Sequence, residues 1–524
     1  MSGSSTSRTQ TTPLALSPDL QLTASMVEDV AVGDRSVALS DASKHAIDAC
    51  HRTLDEARER GDLIYGLTTG FGPLADRTID TGDIEALQTN LVYHLASGTG
   101  PPLSAPWARA MMLCRTVCLC RGHSAVRPET MRRLLQWLNT DLAAAVPRYG
   151  SVGASGDLTP LSHMALAMMG EGSILNDGRP VDALPVLRQR GIEPVELGDR
   201  DGLALVNGTS AMTALAALAQ MRARRALRWG IDLAALYAEC VGAHRQAFDA
   251  LVDELRPHPG QRQVANRLRD HLDDSRRLTE RPQGVQNPSN PRSAVDGLPQ
   301  DAYSLRCIPQ MLGAVADAID YHDNIVTTEL NSVSDNPLFD PENSRAVHAG
   351  NFFGQHIALA SDHLNQSMTV VAVLAERQIA ALTDEKRSPF PAFLQPNNTG
   401  IQSGLMGAQV SASSLIAELR TTAQPLGNQS IPTNADNQDV NPMGTLAALR
   451  SHDILDRVFE VLSIHAIALR QAHYLATDDG GDGGFSSTSA SLVEQLQQKV
   501  EPIVDDRPLA ADIDTLRQWL DGRR

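Results

Sequence analysis

Residues 154–156 are Ala154-Ser155-Gly156, three of the smallest side chains in a row, followed at once by Asp157. They offer no base, no charge and one hydroxyl, so any chemistry they do must come from the backbone. The Gly156 amide nitrogen can attack the Ala154 carbonyl carbon and close a five-membered ring, because no Cβ obstructs the tight approach. Loss of two waters, one from closure and one from the Ser155 hydroxyl, leaves a 4-methylideneimidazol-5-one (MIO) with an electrophilic exocyclic CH2. Ordinary side chains supply no such electrophile. Ala-Ser-Gly is also an ordinary turn sequence, so the tripeptide gains meaning only from its surroundings.

Those surroundings run GSVGASGDLTPLSHMA over residues 150–165, and further motifs follow in order along the chain. They are YGLTTGFG at 65–72, LALVNGTSAM at 203–212, QDAYSLRCIPQ at 300–310, ELNSVSDNP at 329–337, HAGNFFGQ at 348–355 and ADNQDV at 435–440. In register, this set resembles the MIO-dependent aromatic amino acid ammonia-lyases and aminomutases, the family of histidine, phenylalanine and tyrosine lyases. The resemblance implies that Ala154, Ser155 and Gly156 form the MIO and that Asn207 helps form and orient it. It makes Tyr65 the catalytic base and gives Tyr303 a supporting role in proton transfer. Arg306, Gln300 and Asn336 would then meet the substrate, with Phe352, Asn437 and Gln438 completing the site. Eliminating ammonia from an α-amino acid needs a better leaving group than a free amine and a base for a weakly acidic β-proton. A tyrosine base working near neutrality is expected to have its phenol tuned down from about 10. Arg306 suits a bidentate hold on a carboxylate.

Two positions bear on the substrate. In LQTNLVYHLASG the pair His94-Leu95 lies where the family sets ring preference: His-Leu goes with tyrosine, Phe-Leu with phenylalanine and Ser-His with histidine. An imidazole can hydrogen-bond a phenol, and a site built around that bond rejects the analogue lacking it. The plain alternative is that His94 is a satisfied core histidine. Histidine lyases carry glutamate where this chain has Gln438. The bacterial, tyrosine-type branch is therefore expected, releasing trans-4-coumarate and ammonia from L-tyrosine, with L-DOPA and, more weakly, phenylalanine as further substrates. Tyrosine 2,3-aminomutase, histidine ammonia-lyase and a catalytically dead helical scaffold remain alternatives.

The elements that must position these residues are predominantly helical. Helical periodicity is read at residues 40–60 and 83–95, and long Ala/Leu-rich runs at 211–255, 303–332, 351–382, 401–423 and 443–476. Strand signal is confined to short pieces such as 173–184, where Asn176-Asp177-Gly178 can turn a hairpin. The expected fold is mainly α, resembling the fumarase/aspartase-like architecture. A tail at 1–20 precedes an N-terminal helix-and-loop domain bearing the MIO at 21–209, a long-helix bundle at 210–480, and a C-terminal linker and helix at 481–524. The polar, Pro-rich segment 276–300 reads as a mobile lid.

Composition narrows the partners. A net charge of −17 argues against nucleic acid, and no apolar run reaches the roughly 20 residues a membrane span needs. The Ser/Thr-rich start lacks the pattern of a secretory signal, which predicts a cytoplasmic protein. Cys114, Cys118 and Cys120 sit in an apolar helical run without zinc-site spacing and read as buried thiols, so no metal or external cofactor is expected. The resemblance implies a homotetramer with active sites shared between subunits.

Overall fold

The computed structural model describes residues 12–280, 300–397, 400–477 and 483–522. Most of the proposed lid, the first 11 residues and part of the C-terminal linker lie outside them. The described chain is mainly α-helical, and its strands form four separate two-stranded sheets. It divides into two compact units, each gathered from three stretches: 1–221, 322–362 and 425–451, then 222–321, 363–424 and 452–524. The helices Ser210–Val241, Ile308–Leu330, Gln355–Leu382 and Gly444–Ala476 contribute residues to both.

Local rules account for where the elements begin and end. Helix Asp41–Glu59 starts where the Ser40 side chain accepts from the Ser43 amide, an N-cap that satisfies an otherwise unpaired donor. The run expected over 211–255 is broken: the helix ends at Val241, Gly242 is left-handed at φ +68°, and a short helix, Ala250–Leu255, follows. Glycine just past a helix end adopts this conformation without the Cβ penalty. The run expected over 303–332 is likewise split into Tyr303–Arg306 and Ile308–Leu330. The hairpin forms, with Ser173–Asn176 paired to Arg179–Asp182. Asp177 and Gly178 both have positive φ, as a tight hairpin turn requires.

In the first unit, helix Ala105–Cys120 is buried along most of its length; Cys114 and Cys120 lie in apolar packing, while buried Cys118 meets the Arg115 guanidinium at 3.5 Å. Burial pushes the Cys120 thiol up to about 11, which keeps it protonated and unreactive. Trp137, Leu113, Leu161, Leu205, Leu215 and Ile357 belong to the same core. Inside this apolar mass sits one ionic triad. Arg200 grips Asp335 through bonds of 2.7 and 3.0 Å, and Arg115 reaches it at 3.3 Å, with all three side chains fully buried. The surplus positive charge is met by carbonyls of Ser124, Ser334 and Asn336 at 2.6 to 2.8 Å, and by that of Ala204. Buried charges survive only when paired and hydrogen-bonded in this way. The triad thereby fixes residues 334–336 and the helix Asp201–Val206, which lead directly into Asn336 and Asn207.

Candidate active site

The first unit contains a cavity of about 750 Å³ with the tripeptide in its wall. Gly156 is left-handed at φ +65°, and a Cβ there would stand 2.2 Å from the Gly208 carbonyl carbon and oxygen. Only glycine fits. Backbone bridges join Gly153 to Gly156 and Gly156 to Gly208, so the segment folds back on itself. Asn207 Nδ2 donates to the Ser155 carbonyl at 3.2 Å, and Gln438 Nε2 donates to Ser155 Oγ at 3.0 Å. Asn207 Oδ1 is buried and has no hydrogen-bond partner among the described residues.

Asp157 anchors the segment from below. Its carboxylate is fully buried and accepts from Thr445 Oγ1, from Ser151 Oγ at 3.1 Å and from the Met212 amide at 2.7 Å. The Met212 amide lies in the first turn of helix Ser210–Val241, where free N–H groups favour a negative charge. Burial nevertheless outweighs these bonds and pushes Asp157 up to about 6.

Tyr65 lines the same cavity and rests edge-on against Phe71, centroids 6.0 Å apart. Its Oη accepts from the Gly72 amide at 2.8 Å, while its own amide donates to His348 Nε2 at 3.1 Å. The loop that carries it is tied to the rest of the wall by Gln88, which donates to the Gly66 carbonyl at 2.8 Å and accepts from the Leu203 amide at 2.9 Å. The expected downward tuning of this phenol is not found within the chain. Half-burial pushes Tyr65 above its ordinary value, and the Gly72 amide, which favours the phenolate, offsets only part of that.

His94 and Leu95 lie at the end of helix Ile84–Leu95 and line the cavity. His94 Nδ1 is 2.9 Å from the Asn90 carbonyl one turn back. A carbonyl only accepts, so Nδ1 carries a proton, and in the tautomer this selects Nε2 is the acceptor. Neighbouring Tyr93 turns to the exterior, donating to Glu171 Oε2 at 2.7 Å.

Asn336, Phe352, Asn437 and Gln438 line the cavity as well. Asn336 Oδ1 accepts from the Ala349 amide at 2.8 Å, and Gln438 Oε1 accepts from Thr433 Oγ1 at 2.7 Å. Gln300, Tyr303 and Arg306 belong to the second unit. There Gln300 and Tyr303 are exposed; the Arg306 guanidinium stacks 4.6 Å from the Tyr303 ring centroid, and its Nε donates to the Asp301 carbonyl at 3.0 Å. Sequence reasoning passed over Gly72, Gln88, Asp157, His348 and Thr433. Of these only Asp157 carried a signal, an acid directly after the small tripeptide. Gly72, Gln88 and His348 act through contacts with or from backbone groups and Thr433 through its hydroxyl on Gln438, and residue type alone marks none of these.

Over residues 22–500 the chain matches the family model for aromatic amino acid lyases. It belongs to that family. A tyrosine ammonia-lyase of Cereibacter sphaeroides is 44% identical over 523 residues, covering 97% of this chain and 99% of the relative. A probable histidine ammonia-lyase of Thermoplasma acidophilum is 38% identical, covering 95% and 97%. Among solved structures, the tyrosine aminomutase of Streptomyces globisporus superposes with a TM-score of 0.90 at 36% identity, over 98% of this chain and 97% of that one. This aromatic amino acid lyase is thus a carbon–nitrogen lyase with the long-helix fold of its relatives. Among the described residues no helix is long and apolar enough to cross a membrane.

Proposed function

We propose that the chain removes ammonia from L-tyrosine without oxidation, giving trans-4-coumarate, by way of an MIO made from Ala154-Ser155-Gly156. The observation that carries this reading is the tripeptide's setting: Gly156 where no Cβ fits, Asn207 and Gln438 bonded to Ser155, and Tyr65 and His94 lining one cavity with them. The buried, unpartnered Asn207 Oδ1 beside Ser155 and the folded-back backbone both suit a ring at this position. When formed, the MIO supplies an electrophilic methylidene that turns the amine into a better leaving group.

The chain's own residues account for the rest. Tyr65 Oη takes the β-proton; the C–N bond breaks, and the β-carbon's electron pair becomes the double bond. The Gly72 N–H holds the phenolate where it must act. Because burial raises the Tyr65 phenol, the base-form fraction grows with pH, and kcat/KM is expected to climb through the alkaline range. Tyr65→Phe should lower kcat by about 10²–10⁴-fold and abolish that climb. A bell centred near neutrality in the wild type would assign the proton transfer elsewhere.

His94 supports tyrosine over phenylalanine. With Nδ1 committed to Asn90, its free Nε2 accepts from a ring substituent that donates, as a phenol O–H does. Arg306 is the proposed partner of the substrate carboxylate and Tyr303 a second proton-transfer group. The deciding experiment incubates purified protein with tyrosine, phenylalanine and histidine separately and resolves the products, while intact mass reads the tripeptide. Coumarate as the dominant product, with a mass two waters below that encoded, is the expected result. β-Tyrosine would make the chain an aminomutase, a reading favoured by its likeness to the Streptomyces globisporus enzyme. Urocanate would transfer it to the histidine lyases.

A further inference from the structure

Gln438 reaches Ser155 from residues 428–440, a stretch that is largely exposed and forms no helix or strand. Something else must hold it to the accuracy that catalysis demands. One end is fastened where the Met443 amide donates to the Val152 carbonyl at 2.8 Å. In the middle, buried Asn441 gathers the loop, with its Nδ2 donating to Thr433 Oγ1 at 3.2 Å, to the Gln438 carbonyl at 3.3 Å and to the Ile431 carbonyl. The other end is held by one face of helix Gln355–Leu382. Asp362 Oδ2 accepts from the Leu426 amide at 2.9 Å and from the Gly427 amide at 2.7 Å, and Gln355 Nε2 donates to the Gly427 carbonyl at 2.9 Å. Residues 355 and 362 are two turns apart, hence on the same helix face. The approach is close: a Cβ on Gly427 would stand 3.1 Å from Asp362 Oδ2 and 3.3 Å from Ala358 and Leu359 side-chain carbons.

We propose that Asp362 is a positioning residue for the reaction, acting on Gln438 through the peptide it clamps at residues 426–427. Asp362 is 5% exposed, and its second oxygen, Oδ1, is buried without a hydrogen-bond partner among the described residues. A carboxylate that leaves one oxygen without a partner and uses the other twice holds the loop as a double acceptor, with the Arg450 charge beside it as a lesser influence. An asparagine can present its carbonyl oxygen to both amides and its NH2 where Oδ1 now stands. The inference rests on the reading of Gln438 as a site residue, and the test separates the two.

Asp362→Ala, Asp362→Asn, Gln438→Ala and the double variant Asp362→Ala/Gln438→Ala are compared with wild type for kcat, KM, intact mass and deuterium uptake at residues 428–440. Asp362→Ala should lower kcat by about 10- to 100-fold with KM little changed, as expected when a group near the reacting atoms shifts by about 1 Å. Uptake at 428–440 should rise, and the mass should stay two waters short. Asp362→Asn should restore most of both readouts, and the double variant should be no slower than Gln438→Ala alone. Three results overturn the proposal: unchanged kcat and uptake in Asp362→Ala, a loss that adds in full to that of Gln438→Ala, or an Asp362→Asn as impaired as Asp362→Ala. If Asp362→Ala fails to fold, Gln355→Ala reads the same clamp, and unchanged uptake there is equally decisive against it. If the wild type turns over no aromatic amino acid, the functional reading falls, while the uptake comparison still decides whether Asp362 holds the loop.

Discussion

The stretches 151–157 and 428–440 each supply part of the wall of the cavity where Gln438 meets Ser155, yet they are held in opposite ways. The first is mostly buried and cross-tied by Asp157, Ser151, Thr445 and the Met212 amide, with Gly156 wedged against Gly208. The second is mostly exposed and fastened at its ends and at Asn441. A buried polar network that is fully connected admits one arrangement, because each unpaired group inside costs about 1–3 kcal/mol. An exposed loop tolerates several. The difference teaches a division of labour: the floor, where the proposed MIO would form, is built to have a single geometry, and the rim is built to be adjusted.

The largest effect should come from the floor. Ser155→Ala removes the hydroxyl whose loss would make the proposed methylidene, so turnover should disappear for every substrate alike while circular dichroism and the melting temperature stay close to wild type. Near-ultraviolet absorbance and intact mass check it directly. Full activity in this variant would break the comparison, since the floor would then hold no chemistry.

A change at His94 should sort substrates instead of stopping them. His94→Phe removes the free Nε2 acceptor, and the tyrosine-to-phenylalanine ratio of kcat/KM should fall by about a hundredfold or more. In the wild type, a 4-amino ring, which still donates, should be accepted better than a 4-methoxy ring, which cannot. Parallel kinetics on the four substrates measure this. Equal treatment of amino and methoxy rings would remove His94 from recognition.

The floor also has a signature in pH. Burial raises Asp157 to about 6, above the ordinary carboxylate value it regains on unfolding, so the native state binds its proton more tightly. Stability therefore falls as pH rises from about 4 through 6, at about 1.4 kcal/mol per unit of pKa difference for this group. The full chain has 62 acidic residues, and their sum hides one term. The difference between wild type and Asp157→Asn isolates it: urea midpoints taken from pH 7 down to pH 4 should show wild type gaining on the variant. A gap that is flat with pH would mean that the bonds from Thr445, Met212 and Ser151 cancel burial.

How much of this was legible in the sequence follows the same split. The tight glycine turn at the tripeptide, the long helices and the 173–182 hairpin were readable, because small residues, helical periodicity and an Asp-Gly turn each write themselves in residue types. The stop at Val241 was written too, in Gly242, but a continuous Ala/Leu-rich pattern around it outweighed one glycine. The Gly72 amide on Tyr65, the Gln88 tie and the Asp362 clamp were not readable. Each joins a side chain to a backbone group, 7 residues away for Gly72 and 22 to 115 away for the other two, and any residue can supply a backbone group. The expected low phenol value for Tyr65 failed for a related reason: it follows from the proton transfer asked of the residue, whereas burial is set by the fold.

The smallest effect belongs to the rim's turn. Asn434, Ala435 and Asp436 stand in succession at φ +56°, +51° and +60°. Asn and Asp tolerate this left-handed region through local hydrogen bonding, but alanine has no such relief, and its Cβ costs roughly 1–2 kcal/mol there. Ala435→Gly removes that cost and adds unfolded-state freedom worth about 0.4–1 kcal/mol in the opposite direction. The net gain should be about 0.5–1 kcal/mol, read from the urea midpoint at constant slope. Because Ala435 is exposed and Asn441 continues to hold the flanking residues, the tyrosine-to-phenylalanine ratio should not move. A ratio that does move with a change this small would show that the turn itself sets where Gln438 stands, and would place the rim's adjustability at residues 434–436 instead of at its anchors.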